Sequence, residues 1–322
     1  MPSLSFGRDS DSDGKRFVTR VDDALLGEDV YGGATAGLPE QVSRGCGSVE
    51  CSGGWARPWR SKKRPIFEGQ WGCSGRCVLA MVRTAMRRET RDRRAVPQTG
   101  GVHRHRVPLG LVMLAQGWIT HPQLKAALQA QRQSGSGRIG DWLVSECGLG
   151  VEQVTRGLSV QWSCPVLTTD GFSARDMALV MPRRFVEEFG MVPLRVAGGR
   201  LLYLGSEDRL NASVAYAVEQ MSGLKVESGL VDGGHIEEAK ARLLDAEAIQ
   251  VTVESLGDED SLAARMTAVL EHRQPFMSRL VRLHQYYWLR LWLESGTRGA
   301  AGSLPRSAED MQDCLFTVGG SA

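Results

Sequence analysis

The chain has no run of the roughly 18 consecutive apolar residues that a helix needs to cross a bilayer. Its opening stretch, MPSLSFGRDSDSDGKR, has neither a basic start nor an apolar core, so no secretory signal is read and a cytoplasmic protein is expected. No GxxxxGK(S/T) phosphate loop occurs, which argues against an ATP site of that kind. The 6 histidines are scattered without a ligand spacing, and no Ser/His/Asp or Cys/His set stands out, so an enzyme is not expected. Net charge is only +2, too small a field to steer the molecule toward nucleic acid. The 7 cysteines are an odd number without an export signal, which points to reduced thiols rather than a disulfide framework.

What is present is unevenly distributed. Residues 1–106 are dense in Gly, Ser and Arg, with isolated Trp55, Trp59 and Trp71 and no sustained periodicity. They read as mostly disordered, with a short helix around 78–93. The compositional break also admits a second reading, that translation begins at Met81 or Met86 and the upstream stretch is not native protein. The arginine run Arg83, Arg87, Arg88, Arg91, Arg93 and Arg94 reads as a solvated basic linker. Residues 107–170 carry a tandem helical repeat, and residues 171–245 a small α+β subdomain with a short sheet. In the latter, Ser173 caps a helix, a second helix follows Pro182 and ends at Gly190, and MVPLRV–Gly198-Gly199–LLYLG reads as a β-hairpin. A helix over 211–221, the strand LKVESGLV and a helix over 235–245 complete an α+β fold. Residues 246–322 are expected to hold a linker, an amphipathic helix over 259–293 broken at Pro275, and a frayed tail. In that helix Leu280, Leu283, Tyr287, Leu291 and Trp292 form the apolar side, and Arg279, Arg282 and Arg290 exclude a membrane span.

The repeat is the most informative feature. LGLVMLAQGWITHPQLKAALQAQ (109–131) and IGDWLVSECGLGVEQVTRGLSVQ (139–161) align at an offset of 30. Leu109 pairs with Ile139, Gly110 with Gly140, Met113 with Leu143, Leu124 with Val154, Leu128 with Leu158 and Gln131 with Gln161. Leu124, Leu128 and Gln131 share one helix face, and Thr120 with Gln123 reads as a capping box. In the second copy Gly150 takes the cap position. Each copy is therefore a short helix, a Gly-containing loop and a longer helix ending in Gln.

The spacing LGxxMxxxGxIxxxxLxxALxxQ resembles the tandem motif of the N-terminal domain of type II secretion and type IV pilus assembly ATPases, often called the MshEN domain. The resemblance covers about 107–240, including PLRVAGGRLLYLGSEDRLN. It implies a non-catalytic docking or regulatory module, without the motor, acting with a secretion or pilus assembly component at the inner membrane. It further implies a possible ligand, cyclic di-GMP, with contacts from Leu109, Gly110, Met113, Leu124, Leu128 and Gln131 in the first copy. The second copy would supply Arg138, Ile139, Gly140, Leu143, Val154, Leu158 and Gln161. Two residues depart from the motif: Pro108 stands where the opening Arg is expected, and Cys147 where the middle Gly is expected. Arg104 or Arg106 is the candidate to replace the missing guanidinium.

Two weaker signals involve metals. Cys46, Cys51, Cys73 and Cys77, with His103 and His105 nearby, could hold a structural zinc, but neither spacing is CxxC, so unassociated thiols and no metal are expected. Asp9, Asp11, Asp13 and Gly14 imitate a calcium loop that fails at Arg20, where a bidentate Glu is required. Trp118, Trp142 and Trp162 are expected to fill the helical core.

Overall fold

The computed structural model describes residues 46–51, 66–95, 106–208, 210–293, 304 and 307–319. The aspartate run at 9–13, Trp55, Trp59, His103, Arg104 and His105 lie outside these residues, as does most of the stretch expected to be disordered. Within 46–95 the chain forms a small hairpin, β1 (Ile66–Phe67) and β2 (Gln70–Trp71), followed by helix α1 (Gly75–Ala95). The helix expected at 78–93 is thus present and longer. Its apolar side is buried, so Val78, Met81, Val82, Ala85 and Met86 sit in a core together with Phe67. Phe67 and Val78 lie upstream of both candidate start methionines and are part of the packing.

The repeat forms α2 (Leu109–Ala115), α3 (His121–Ser134), α4 (Ile139–Cys147) and α5 (Val151–Trp162). The second helix of each copy starts on the same device. Gln123 Oε1 accepts from the Thr120 N–H at 2.9 Å, and Gln153 Oε1 from the Gly150 N–H at 2.9 Å. Copies exchange partners, α2 packing on α5 and α3 on α4. Met113, Ala127, Leu143, Leu109 and Val154 fill the shared core. The displaced middle glycine is explained by backbone geometry. Gly117 and Gly148 both take left-handed φ, +70° and +69°; the second copy runs its first helix two residues further and turns on the glycine that follows Cys147, one position later than in the first copy. Trp118 and Trp142 are half-buried against this core.

The α+β portion follows the sequence reading closely. Helices α6 (Ala174–Met177) and α7 (Arg183–Phe189) precede strands β3 (Met191–Ala197) and β4 (Leu201–Ser206), then come α8 (Ala212–Ser222), β5 (Lys225–Leu230) and α9 (Gly233–Asp245). Ser173 accepts from the Asp176 N–H as a cap, and Gly198 and Gly199 carry the positive φ that a tight hairpin demands. The sheet order is β3-β4-β5, with β3 antiparallel and β5 parallel to β4.

The last portion corrects the reading of 246–322. Strand β6 (Gln250–Leu256) and helix α10 (Glu259–Arg273) are followed by strands β7 (Met277–Leu283), β8 (Tyr286–Trp292) and β9 (Met311–Val318). The amphipathic helix therefore stops at Arg273, and what was read as its continuation is a β-hairpin. What was read as a frayed tail contains a buried strand. The sheet order β6-β9-β8-β7 places β9 in the middle, parallel to β6 and antiparallel to β8. Both faces are covered: Trp288, Tyr286 and Leu315 enter the core of the α+β portion, while Leu289, Leu291, Tyr287 and Phe316 pack under α1 and α10. Alternate residues thus go to opposite cores, and no polar face remains to mark the period of 2. Arg290 is not a solvent-facing helix residue. It is buried, with Nε and Nη2 donating to Asp313 at 2.8 and 2.7 Å and Nη1 to the Val180 carbonyl at 3.0 Å. Among the described residues no helix is long and apolar enough to cross a membrane.

Candidate functional site

A cleft of about 510 Å³ opens between α4, α5 and the turn that follows β4. Its bed is apolar, formed by Leu109, Ile139, Val144, Val151, Val154 and Leu158. Its rim is polar, formed by Arg138, Asp141, Thr155, Gln161, Glu207 and Asp208. The apolar stripe exists because Val151, Val154 and Leu158 recur at helical spacing along α5, with Gln161 and Trp162 one turn further on. Leu109 reaches the cleft from the first copy because α2 lies on α5.

Of the residues singled out from the motif, the cleft gathers Leu109, Arg138, Ile139, Gly140, Val154, Leu158 and Gln161. It does not gather the others. Met113 and Leu143 are fully buried in the repeat core, and Gly110 and Leu124 pack on each other. A Cβ on Gly110 would lie 2.5 Å from Leu124 Cδ1, and one on Gly140 would lie 3.0 Å from Val154 Cγ1. Both glycines therefore serve the close approach of two helices, whatever else they do. Leu128 is half-buried, and Gln131 lies at the far end of α3.

The two glutamines have matching roles. Gln131 Nε2 donates to the Gly137 carbonyl at 3.0 Å, and Gln161 Nε2 donates to the Val107 carbonyl at 2.8 Å. Gly137 and Val107 are themselves equivalent, each the second residue before its copy's first helix. Each copy's last helix thus clamps the entry of the other copy.

Electrostatics in the cleft are set by residues that the motif did not indicate. Arg138 Nη1 lies 3.1 Å from Asp208 Oδ2 and 3.3 Å from Glu207 Oε2. These carboxylates, Asp208 foremost, raise the affinity of the guanidinium for its proton. Asp141 also caps α4, its Oδ2 accepting from the Arg138 N–H at 3.2 Å. The lining therefore holds three carboxylates against one guanidinium. Arg106 adds a second cation beside it, stacked 3.5 Å above the Trp162 ring, and its buried Nη1 has no hydrogen-bond partner among the described residues. Glu207 and Asp208 could be noticed in the sequence only as the charged pair after LLYLGS. Nothing in a linear reading ties them to Arg138.

The four N-terminal cysteines, read from sequence as unassociated, are brought together. All four sulfurs lie within 4.8 Å of one another. The cause is the β1–β2 hairpin, which returns the chain from the turn at 46–51 to the start of α1.

Comparison with known proteins gave the following. No family model and no curated protein matches the chain. Among solved structures, one described as MshE with cdg is 23% identical, covers 43% of this chain and 99% of that one, and superposes with a TM-score of 0.36. The N-terminal domain of XpsE in one crystal form is 18% identical, covers 42% of this chain and 92% of that one, with a TM-score of 0.30. A second crystal form of the same domain gives 18% identity, 40% and 90% coverage, and a TM-score of 0.25.

Proposed function

We propose that the chain is a non-catalytic docking and regulatory module that acts with a component of a type II secretion or type IV pilus assembly machine. The observation that supports it is the duplicated unit itself. Its two copies share spacing, caps and glutamine clamps, and the spacing resembles that of the MshEN-type domain. The full chain, immobilised and exposed to the purified inner-membrane assembly of such a machine, should bind it saturably with a dissociation constant of about 10 μM or tighter, near 7 kcal/mol of binding free energy. No saturable binding at ten times that concentration sinks the docking role.

A second reading, a receptor for cyclic di-GMP, is favoured by the cleft. Its volume falls in the range of about 300–1,000 Å³ usual for small-molecule sites, and an apolar bed edged by a few polar groups suits a purine. Arg106, stacked on Trp162 and with its buried Nη1 lacking a hydrogen-bond partner among the described residues, could take over the role of the arginine that Pro108 replaces. Opposing this, an anionic ligand must displace Glu207 and Asp208 from Arg138. Titration calorimetry of the full chain with cyclic di-GMP decides: saturable heat is expected. Silence up to about 100 μM, equivalent to roughly 5.5 kcal/mol, rejects the receptor reading and leaves the docking reading standing.

A further inference from the structure

The turn at residues 46–51, the β1–β2 hairpin and the start of α1 converge on a second site, independent of the cleft. Cys46 and Cys51 flank a tight turn in which the Cys51 N–H donates to the Ser48 carbonyl at 3.2 Å. The turn is tied to the hairpin by the Gly47 N–H, which donates to the Trp71 carbonyl at 2.7 Å. Cys73 lies between β2 and α1, and Cys77 lies in the first turn of α1. Two sulfurs thus come from a turn and two from a helix N-terminus.

The separations discriminate between the ways four thiols can associate. Cys51 Sγ and Cys73 Sγ are 3.5 Å apart, and Cys73 Sγ and Cys77 Sγ are 3.4 Å apart. A disulfide would need about 2.05 Å. Four thiolates around one zinc ion at about 2.3 Å each stand at the corners of a tetrahedron whose edges are about 3.8 Å. With every sulfur within 4.8 Å of the rest, the cluster is the size of one tetrahedral ion. The Cys73 N–H also points at Cys46 Sγ, 3.3 Å away, a backbone donor of the kind that steadies metal-bound thiolates. Cys77 is buried, and the other three are partly so, which limits access by competing ligands.

We infer that Cys46, Cys51, Cys73 and Cys77 form a structural zinc site. On binding, each thiol gives up its proton to solvent and each thiolate donates an electron pair to the ion, with no change of redox state. The α1 N-terminus, capped by Ser74 Oγ accepting from the Cys77 N–H at 3.3 Å, points its positive dipole end at the cluster and offsets part of the surplus negative charge of four thiolates on a divalent cation. The site would fasten the turn at 46–51 to α1, whose apolar side lies on the C-terminal sheet. Its closed four-sulfur set leaves no position for a substrate, so the role is structural rather than catalytic.

The test uses the untagged full chain, expressed with added zinc and purified under reducing conditions. Elemental analysis should find about one zinc per chain, and exchange into cobalt should give the visible bands of a tetrahedral thiolate complex. Cys51→Ser should lose most of the metal, whereas Cys147→Ser and Cys164→Ser should keep it. Three results overturn the inference: a folded wild-type chain with no stoichiometric zinc, bound iron with acid-labile sulfide, or zinc that persists unchanged in Cys51→Ser. Should Cys51→Ser fail to fold, the wild-type metal content and cobalt spectrum decide by themselves.

Discussion

At the residue scale, the Arg290–Asp313 pair shows how costly a charge is inside a sheet covered on both faces. Arg290 and Asp313 face each other across β8 and β9, and both are essentially without solvent. Removing one partner leaves an uncompensated buried charge. Asp313→Ala should therefore lower unfolding free energy by about 3–5 kcal/mol in urea titration, while Arg290→Met combined with Asp313→Leu should cost much less. The same reasoning at the cleft gives a far smaller effect on stability. Glu207 and Asp208 hold Arg138 at a half-exposed rim, so Glu207→Gln with Asp208→Asn should leave stability nearly unchanged. The double variant should also bind cyclic di-GMP at least several-fold more tightly in calorimetry than the parent. Equal or weaker affinity would show that the carboxylates do not guard Arg138. Burial pushes the Cys314 thiol up to about 11, so it stays protonated at neutral pH. It should ignore a thiol reagent until the chain is unfolded.

At the element scale, the glutamine clamps make the two copies energetically alike. Gln131→Ala and Gln161→Ala each remove one hydrogen bond to a helix entry and should each cost about 0.5–1.5 kcal/mol in thermal or urea unfolding. A large inequality would mean that one clamp alone holds the repeat. These elements were legible in sequence because each has one wet face. The Leu124–Leu128–Gln131 stripe, the Thr120–Gln123 cap and the Gly198-Gly199 hairpin are local signals, and each reappears in the fold. Strands β7, β8 and β9 were not legible, for a physical reason. With Tyr287, Leu289 and Leu291 buried under α1 and α10, and Tyr286 and Trp288 buried on the opposite side, LHQYYWLRLW has no alternation to read. Its buried arginine then imitated the polar face of a helix. The cleft was legible only on its repeat side, in Leu109, Arg138, Ile139, Gly140, Val154, Leu158 and Gln161. Glu207, Asp208 and the Arg106–Trp162 stack come together through tertiary packing alone. In hydrogen exchange, amides of β8 and β9 should be the slowest of the C-terminal sheet, ahead of the outer strands β6 and β7.

At the scale of the whole molecule, the C-terminal sheet depends on a strand that arrives last. Because β9 separates β6 from β8, deletion of residues 304–322 would leave both with unpaired edges and open two cores at Leu315 and Phe316. That truncation should give insoluble protein, where loss of a frayed tail would have no effect. The reciprocal clamps carry a different consequence. A copy that braces its twin inside one chain can brace the equivalent copy of another chain equally well, so the repeat is intrinsically capable of domain swapping. What favours closure within a single chain is the turn between α3, which ends at Ser134, and α4: Gly135 and Gly137 reverse the path in left-handed φ, and Trp142 Nε1 donates to the Ser136 carbonyl at 3.1 Å. The balance between the closed and the swapped chain should therefore rest on that short turn, and a side chain placed at Gly135 or Gly137 should shift it toward the swapped form.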